Sequence, residues 1–383
     1  MSGPSPHLVP IRPSNLVSIE AGNVAADTPS AGETPITGML TLPRWIGIVG
    51  GLTVAALAVC LFCLKFGAVP IELGTIMSSF WQTFISGSLE TDGMDASAVI
   101  MLHLRLPRVL LGFFVGSTLA SVGVVLQALL RNPLADPYVL GVSSGAALGV
   151  SLAMLLGVGT TVGLLSPLPL FGFVGGLISL GLMYRLAQSQ GRLPIQSLLL
   201  AGVILNAILT ALIMFVTSIM APNRSAGLMA WLMGSLTAPN YAALSVLALY
   251  GTMGVAILVK MAHALNVLTL GEETARSLGI HTERFKKQLF GLTALLTGAV
   301  VAVSGMIGFV GMVVPHAMRM LVGSDHRLLL PVSALTGGIF LVVSDTIARS
   351  LLAPTEIPVG IVTALAGGPF FLHLLFRQKH WMT

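Results

Sequence analysis

The sequence predicts an all-α polytopic membrane protein with ten transmembrane helices in two related blocks. Three observations predict it. Only 9% of the 383 residues are charged while 55% are hydrophobic, whereas a soluble domain carries roughly 25% charge. The mean hydropathy is +0.94. The apolar residues gather in uncharged windows of about twenty residues, each long enough to cross roughly 30 Å of hydrocarbon as a helix. The 19 basic and 14 acidic residues are too few to build the surface of a soluble enzyme. A β-barrel also satisfies its backbone in lipid, but it needs segments that alternate over about ten residues, and these windows are continuously apolar.

Taken in order, residues 1–43 hold Pro4, Pro6, Pro10, Pro13, Pro29 and Pro35 and no apolar run. They read as a disordered cytoplasmic tail. No charged n-region leads directly into an apolar stretch, so the tail is not a signal peptide. Residues 44–383 form the membrane domain. Its uncharged windows fall near 46–64, 109–130, 138–158, 168–184, 197–220, 241–259, 289–314, 328–344 and 358–376. Leu289 to Met318 contains no Lys, Arg, Asp or Glu. As one helix this stretch would run about 45 Å, too long for a single crossing.

The positive-inside rule resolves it. Lys286 and Lys287 precede the stretch and Arg319 and Arg327 follow it. Both flanks are cytoplasmic only if the chain reverses, and Ser304-Gly305-Met306-Ile307-Gly308 suits a tight reversal. Ten crossings then leave both termini in the cytoplasm. Fourteen Lys and Arg fall inside, against Lys65, Arg105, Arg108, Arg224 and Arg349 outside. The apolar part of residues 221–240 is too short to span and predicts a short external or re-entrant helix, either covering a pathway mouth or anchored at the interface by Trp231. Ser121-Val-Gly with Val142-Ser-Ser-Gly is echoed by Ser304-Gly with Val332-Ser-Ala, and Leu193-Pro-Ile by Ile357-Pro-Val. This echo relates crossings two to five with seven to ten.

The pI near 9.6 does not signal nucleic acid, because the basic residues are scattered between windows and build no patch. Cys60 and Cys63 lie in the first window, without a second pair or a neighbouring His, and read as packing residues. No metal site, cofactor or catalytic motif is expected. The chain contains no HExxH, GxSxG or phosphate-cradling GxxxxGK[ST], so it should not hydrolyse a nucleotide itself. The windows hold essentially no carboxylate of the kind an ion-coupled carrier keeps at membrane depth; Asp345 lies four residues before Arg349, where i,i+4 pairing accounts for it. Energy is therefore expected from another subunit. The longest inner loop, 261–287, contains Gly271-Glu272-Glu273, suited to a helix start, and Leu278-Gly279, suited to its stop. A short cytosolic helix or a solvated loop both fit this composition.

Leu104–Gly149, Leu268–Gly279, Ser304–Gly338 and Glu356–Leu375 closely resemble the FecCD-type permeases, the membrane subunits of ATP-binding-cassette importers for ferric siderophores, haem and cobalamin. The resemblance runs in order over about residues 45–380. It implies the type II importer fold, a homodimer with the pathway along its two-fold axis, two cytoplasmic ATP-binding subunits, an external solute-binding protein and a prokaryotic plasma (inner) membrane. Gly271, Glu272, Glu273, Ala275, Leu278 and Gly279 are similar to the coupling helix of that family. Arg105, Arg108 and Arg349 resemble external residues that grip the binding protein, with snorkelling at helix ends as the other reading. Asn132 and Leu134, in the stretch bracketed by Pro133 and Pro137, resemble the inner gate. Gly202, Asn206 and Thr210 resemble a pathway-lining helix, although small residues at that spacing equally suit plain helix packing. Met214, Met220, Met229 and Met233 offer soft contacts for a bulky cargo. The expected cargo is a ferric siderophore, with haem or a corrinoid as alternatives. An ion-coupled secondary carrier is the competing class.

Overall fold

The computed structural model describes residues 41–67, 74, 96–158, 167–188, 193–237 and 240–379. Nearly all of the expected N-terminal tail lies outside them. The helices are α1 (Leu42–Leu64), α2 (Ala96–Leu129), a 3-10 turn (Pro137–Leu140), α3 (Val142–Leu155), α4 (Leu168–Ala187), α5 (Ile195–Ser218), the short α6 (Pro222–Leu232) and α7 (Tyr241–Lys260). They continue with α8 (Ala262–Thr269), α9 (Glu272–Ser277), α10 (Thr282–Ser304), α11 (Val310–Val322), α12 (His326–Ser350) and α13 (Val359–Lys379). Among the described residues there is no strand.

Seven helices (α1, α2, α4, α5, α7, α10 and α12) are long and apolar enough to cross a membrane, and α3, α11 and α13 carry shorter apolar runs. They follow the sequence windows in order. The long uncharged stretch does reverse where the small residues suggested: α10 stops at Ser304, Gly305 takes φ +68°, and α11 begins after Phe309. Residues 221–240 supply the short helix α6.

Two windows differ from their helices. The second extends back to Ala96, through Arg105 and Arg108. Between Ile100 and Arg105 it is wound as π-helix. Part of the loosened backbone is satisfied from outside, because the Tyr241 hydroxyl donates to the Leu102 carbonyl. The third window, read as one crossing, yields only fourteen helical residues in α3.

Backbone geometry explains the shortening of α3. At the end of α2, Arg131 N–H donates to the Ala128 carbonyl and Asn132 N–H to the Gln127 carbonyl, a Schellman stop with Arg131 at φ +48°. The chain then turns back along α2. Pro137 packs against Gly311, which itself lies against Leu119 and Gly123. That level is six to ten residues, roughly 9–15 Å, before the end of α2. The starts of α3 and α11 therefore lie deep in the bundle. Asp136 joins them, accepting from the backbone N–H of Tyr138 at 2.9 Å and from that of Phe309. Both helices also follow a left-handed residue, Gly141 (φ +71°) and Phe309 (φ +70°); the sequence echo instead pairs Val142 with Val332, which lies inside α12.

The centre of the bundle is α2. In its most apolar stretch 78% of residues are buried, against 11% for α1 at the periphery. It packs on α12, α11, α7 and α10. Lipid tails are as apolar as leucine, so helices in a bilayer associate through close packing more than through water exclusion. Gly116 meets the Gly337 carbonyl of α12, and Gly123 meets the Gly311 carbonyl of α11, so closely that a Cβ at either position would overlap the oxygen. Gly123→Val should therefore lower the thermal midpoint by the equivalent of about 1–3 kcal/mol or abolish folded protein. Fluorescence-detected size exclusion on a heated series checks this, and native-like stability would contradict the contact.

Candidate functional site

Three regions hold the predicted residues. The first is α9, which confirms a helix in the loop at 261–287. Gly271 precedes it at φ +133°, and Gly279 ends it at φ +84°. Gly279 N–H donates to the Arg276 carbonyl and Ile280 N–H to the Ala275 carbonyl, completing a Schellman stop. Ala275 is buried, whereas Glu273, Leu270 and Leu278 are exposed.

This small helix is wired to the bundle by a lysine that sequence reasoning had used only as a topology marker. Lys286 is buried, with Nζ 3.2 Å from Glu272 and 2.7 Å from Glu283. Glu283 in turn accepts from the Leu193 N–H at 3.0 Å, and Lys286 donates to the Leu193 carbonyl at 3.5 Å. Leu193 lies two residues before α5. Glu272, Lys286 and Glu283 thus link α9 to the entry of α5. Beside this chain, a concavity of about 510 Å³ is lined by Arg276, Gly279 and residues 280–284. The i,i+3 spacing of Glu283 and Lys286 was the available signal.

The second region is the unwound stretch and α5. The Asn132 side chain accepts from the Leu134 N–H at 2.9 Å, so Asn132 shapes the loop. The Leu134 side chain is exposed. On α5 the three predicted residues divide. Gly202 is buried near Gly141. Asn206 is hydrogen-bonded to Ser144. Thr210 lies on the exposed face, with Val203, Ile204, Ala207 and Ile208. Packing accounts for Gly202 and Asn206, and the open face of α5 is chiefly aliphatic.

The third region is the opposite end of the bundle, where Arg105, Arg108 and Arg349 come together but point inward. Arg105 is buried and donates to the carbonyls of Leu64 (2.9 Å) and Lys65 (3.1 Å). Arg349 is buried and donates to the Cys63 carbonyl at 2.7 Å. Both therefore satisfy the orphan carbonyls at the end of α1, where the helix dipole also favours a cation. Arg108 forks two ways, to Asp345 at 2.9 Å and to the exposed Glu356 at 2.9 Å. Asp345 thus has Arg108 as its nearer partner, with Arg349 at 3.8 Å. Arg224 repeats the theme by donating to the Leu155 carbonyl at the end of α3 (3.0 Å). The four arginines that break the charge bias all have bonds inside the chain.

Asp345 is 2% exposed, so removing its main partner strands a charge. Arg108→Ala should cost about 3–5 kcal/mol, while the paired change Arg108→Met with Asp345→Leu should restore most of it. Thermal unfolding in detergent tests the pair, and equal losses in the single and double variants would contradict the assignment.

The family described as the FecCD transport family matches residues 55–377. The cobalamin import system permease protein of Halobacterium salinarum is 43% identical over 80% of this chain and 82% of its own length. The hemin transport system permease protein of Yersinia pestis is 39% identical over 87% and 96%. A solved metal-chelate type ABC transporter in an inward-facing conformation superposes with a TM-score of 0.72 at 31% identity, covering 87% of this chain and 99% of that one. With a family match over most of its length and relatives well above 30% identity, the chain belongs to the FecCD transport family.

Proposed function

We propose that this chain is the permease subunit of an ATP-binding-cassette importer that carries a ferric siderophore into the cytoplasm. It works as a homodimer with two ATP-hydrolysing subunits and an external solute-binding protein, in the plasma membrane of a prokaryote with both termini inside. The observation that carries this reading is α9: a short helix bracketed by Gly271 and Gly279, with exposed leucines at its ends and an ionic link through buried Lys286 to the entry of α5. Such an element suits force transmission from a partner, and chemistry would need groups it does not have. Gly271, Glu272, Glu273, Ala275, Leu278 and Gly279 form the contact, and Lys286 relays the movement.

The aliphatic face of α5, together with Thr210, Met214 and the Leu134 loop, lines the pathway in this reading. A weakly polar lining suits a bulky chelate that must enter and leave. At the other end, Arg108 meets the binding protein by exchanging Glu356 for a partner carboxylate while keeping Asp345. Arg105 and Arg349 hold the platform in shape. A corrinoid cargo is the second reading, favoured by the 43% identity to the cobalamin import permease.

The decisive experiment is uptake into proteoliposomes holding this chain and its two partner subunits. ATP-dependent accumulation of ferric siderophore is expected. Preference for cobalamin would move the cargo to the second reading, and ATP-independent accumulation under an ion gradient would overturn the class. In the same vesicles Lys286→Met and Gly279→Val should retain ATP hydrolysis while uptake falls by about 5- to 150-fold. Glu356→Ala should tighten binding of the external protein, because it removes the internal competitor for Arg108. Weaker binding would contradict that role.

A further inference from the structure

A cavity of about 310 Å³ lies where α2, α8, α11 and α12 meet, and its lining includes Arg131, Arg319 and His326. Both guanidinium groups spend little of their bonding capacity within the chain. Arg319 donates to Gln127 Oε1 at 3.0 Å, and Arg131 makes a long contact of 3.4 Å to the Leu268 carbonyl. Asp325, the residue before His326, is engaged by Arg327 at 2.7 Å and by the Asn266 amide at 2.7 Å.

His326 adds direction. It is 3% exposed. The Asn266 Oδ1 accepts from the His326 backbone N–H at 2.9 Å and faces ring Nδ1 at 2.6 Å. An oxygen that faces Nδ1 requires that nitrogen to carry the proton, which leaves Nε2 as a lone-pair acceptor in the neutral ring. Nε2 is buried and has no hydrogen-bond partner. Such a group calls for a donor. Two cations beside one buried acceptor form a mixed set, complementary to a phosphate that carries a hydroxyl.

Depth identifies the source. Trp45, in the first turn of α1, donates from its indole to the Arg327 carbonyl at 3.1 Å. Indoles concentrate at the headgroup level of a bilayer. Met320 and Leu321, which follow Arg319, are exposed and apolar, as acyl chains require. We propose that this cavity binds the headgroup of an anionic glycerophospholipid, with its phosphate between Arg131 and Arg319 and a headgroup hydroxyl donating to His326 Nε2. Basic pockets between membrane helices take such headgroups. An ethanolamine headgroup offers a donor, but its ammonium would sit beside two arginines.

The test uses the purified full chain and native mass spectrometry with thermal unfolding, titrating phosphatidylglycerol, phosphatidylmethanol, phosphatidylethanolamine and inorganic phosphate. The expected result is one retained phosphatidylglycerol per chain with a raised midpoint, and no response to phosphatidylethanolamine. Arg131→Gln with Arg319→Gln should weaken retention by about 30-fold. Arg131→Gln alone, at an exposed position, should show part of the loss if the double variant fails to fold. Arg224→Gln, the same charge change at the other end, should have no effect. Phosphatidylmethanol keeps the charge but lacks the hydroxyl, so it should bind more weakly than phosphatidylglycerol. Equal binding of the two would overturn the role of His326. Equal binding of the anionic and zwitterionic lipids, or an unaltered Arg131→Gln variant, would overturn the site. A full response to inorganic phosphate alone would overturn the lipid as its source.

Discussion

The bundle depends on how closely α2 can approach its neighbours. Bilayer helices gain little from hiding apolar side chains, because lipid solvates them as well as protein does. What remains is dispersion, which falls off steeply with distance. At Gly116 and Gly123 the backbone of α2 touches the backbones of α12 and α11. Helices from both halves of the chain are thereby fixed to one axis, and α1, α4, α5 and α13 are left to cover the outside. The burial contrast between α2 and α1 follows from this.

Much of the architecture was legible in the sequence because one requirement dominates: each backbone polar group in lipid needs an internal partner. That requirement makes helices, their length makes windows, and charges mark the ends. The reversal at Ser304–Gly308 and the short helix α6 were readable on these grounds. The backward extension of α2 was not. A hydropathy count treats an arginine as a boundary, whereas Arg105 and Arg349 are held inside by the carbonyls at the end of α1. The partner that makes burial tolerable is 41 residues away for Arg105 and 286 for Arg349, and no local pattern reveals it.

The candidate site was legible to a different degree in each region. Two glycines bracketed α9 correctly, since a left-handed stop has a recognisable residue. Its wiring through Lys286 was hidden, because a positive residue near a membrane end is already explained by topology. The small residues of α5 carried two meanings from the outset, and the fold divides them, with Gly202 and Asn206 turned into the protein. The acidic pin at Asp136 went unread because it lies between two prolines in a stretch that reads as a boundary loop.

That pin has a mechanical consequence. One carboxylate accepts from Tyr138, in the 3-10 turn that leads into α3, and from Phe309, the residue before α11. Separating the two segments would leave the buried Asp136 carboxylate without its backbone donors, at a cost of several kcal/mol. The approaches to α3 and α11 are therefore tied together at one buried point. Neither segment can shift far without the other unless those bonds break, so a displacement at the start of one half-length helix is felt at the start of the other.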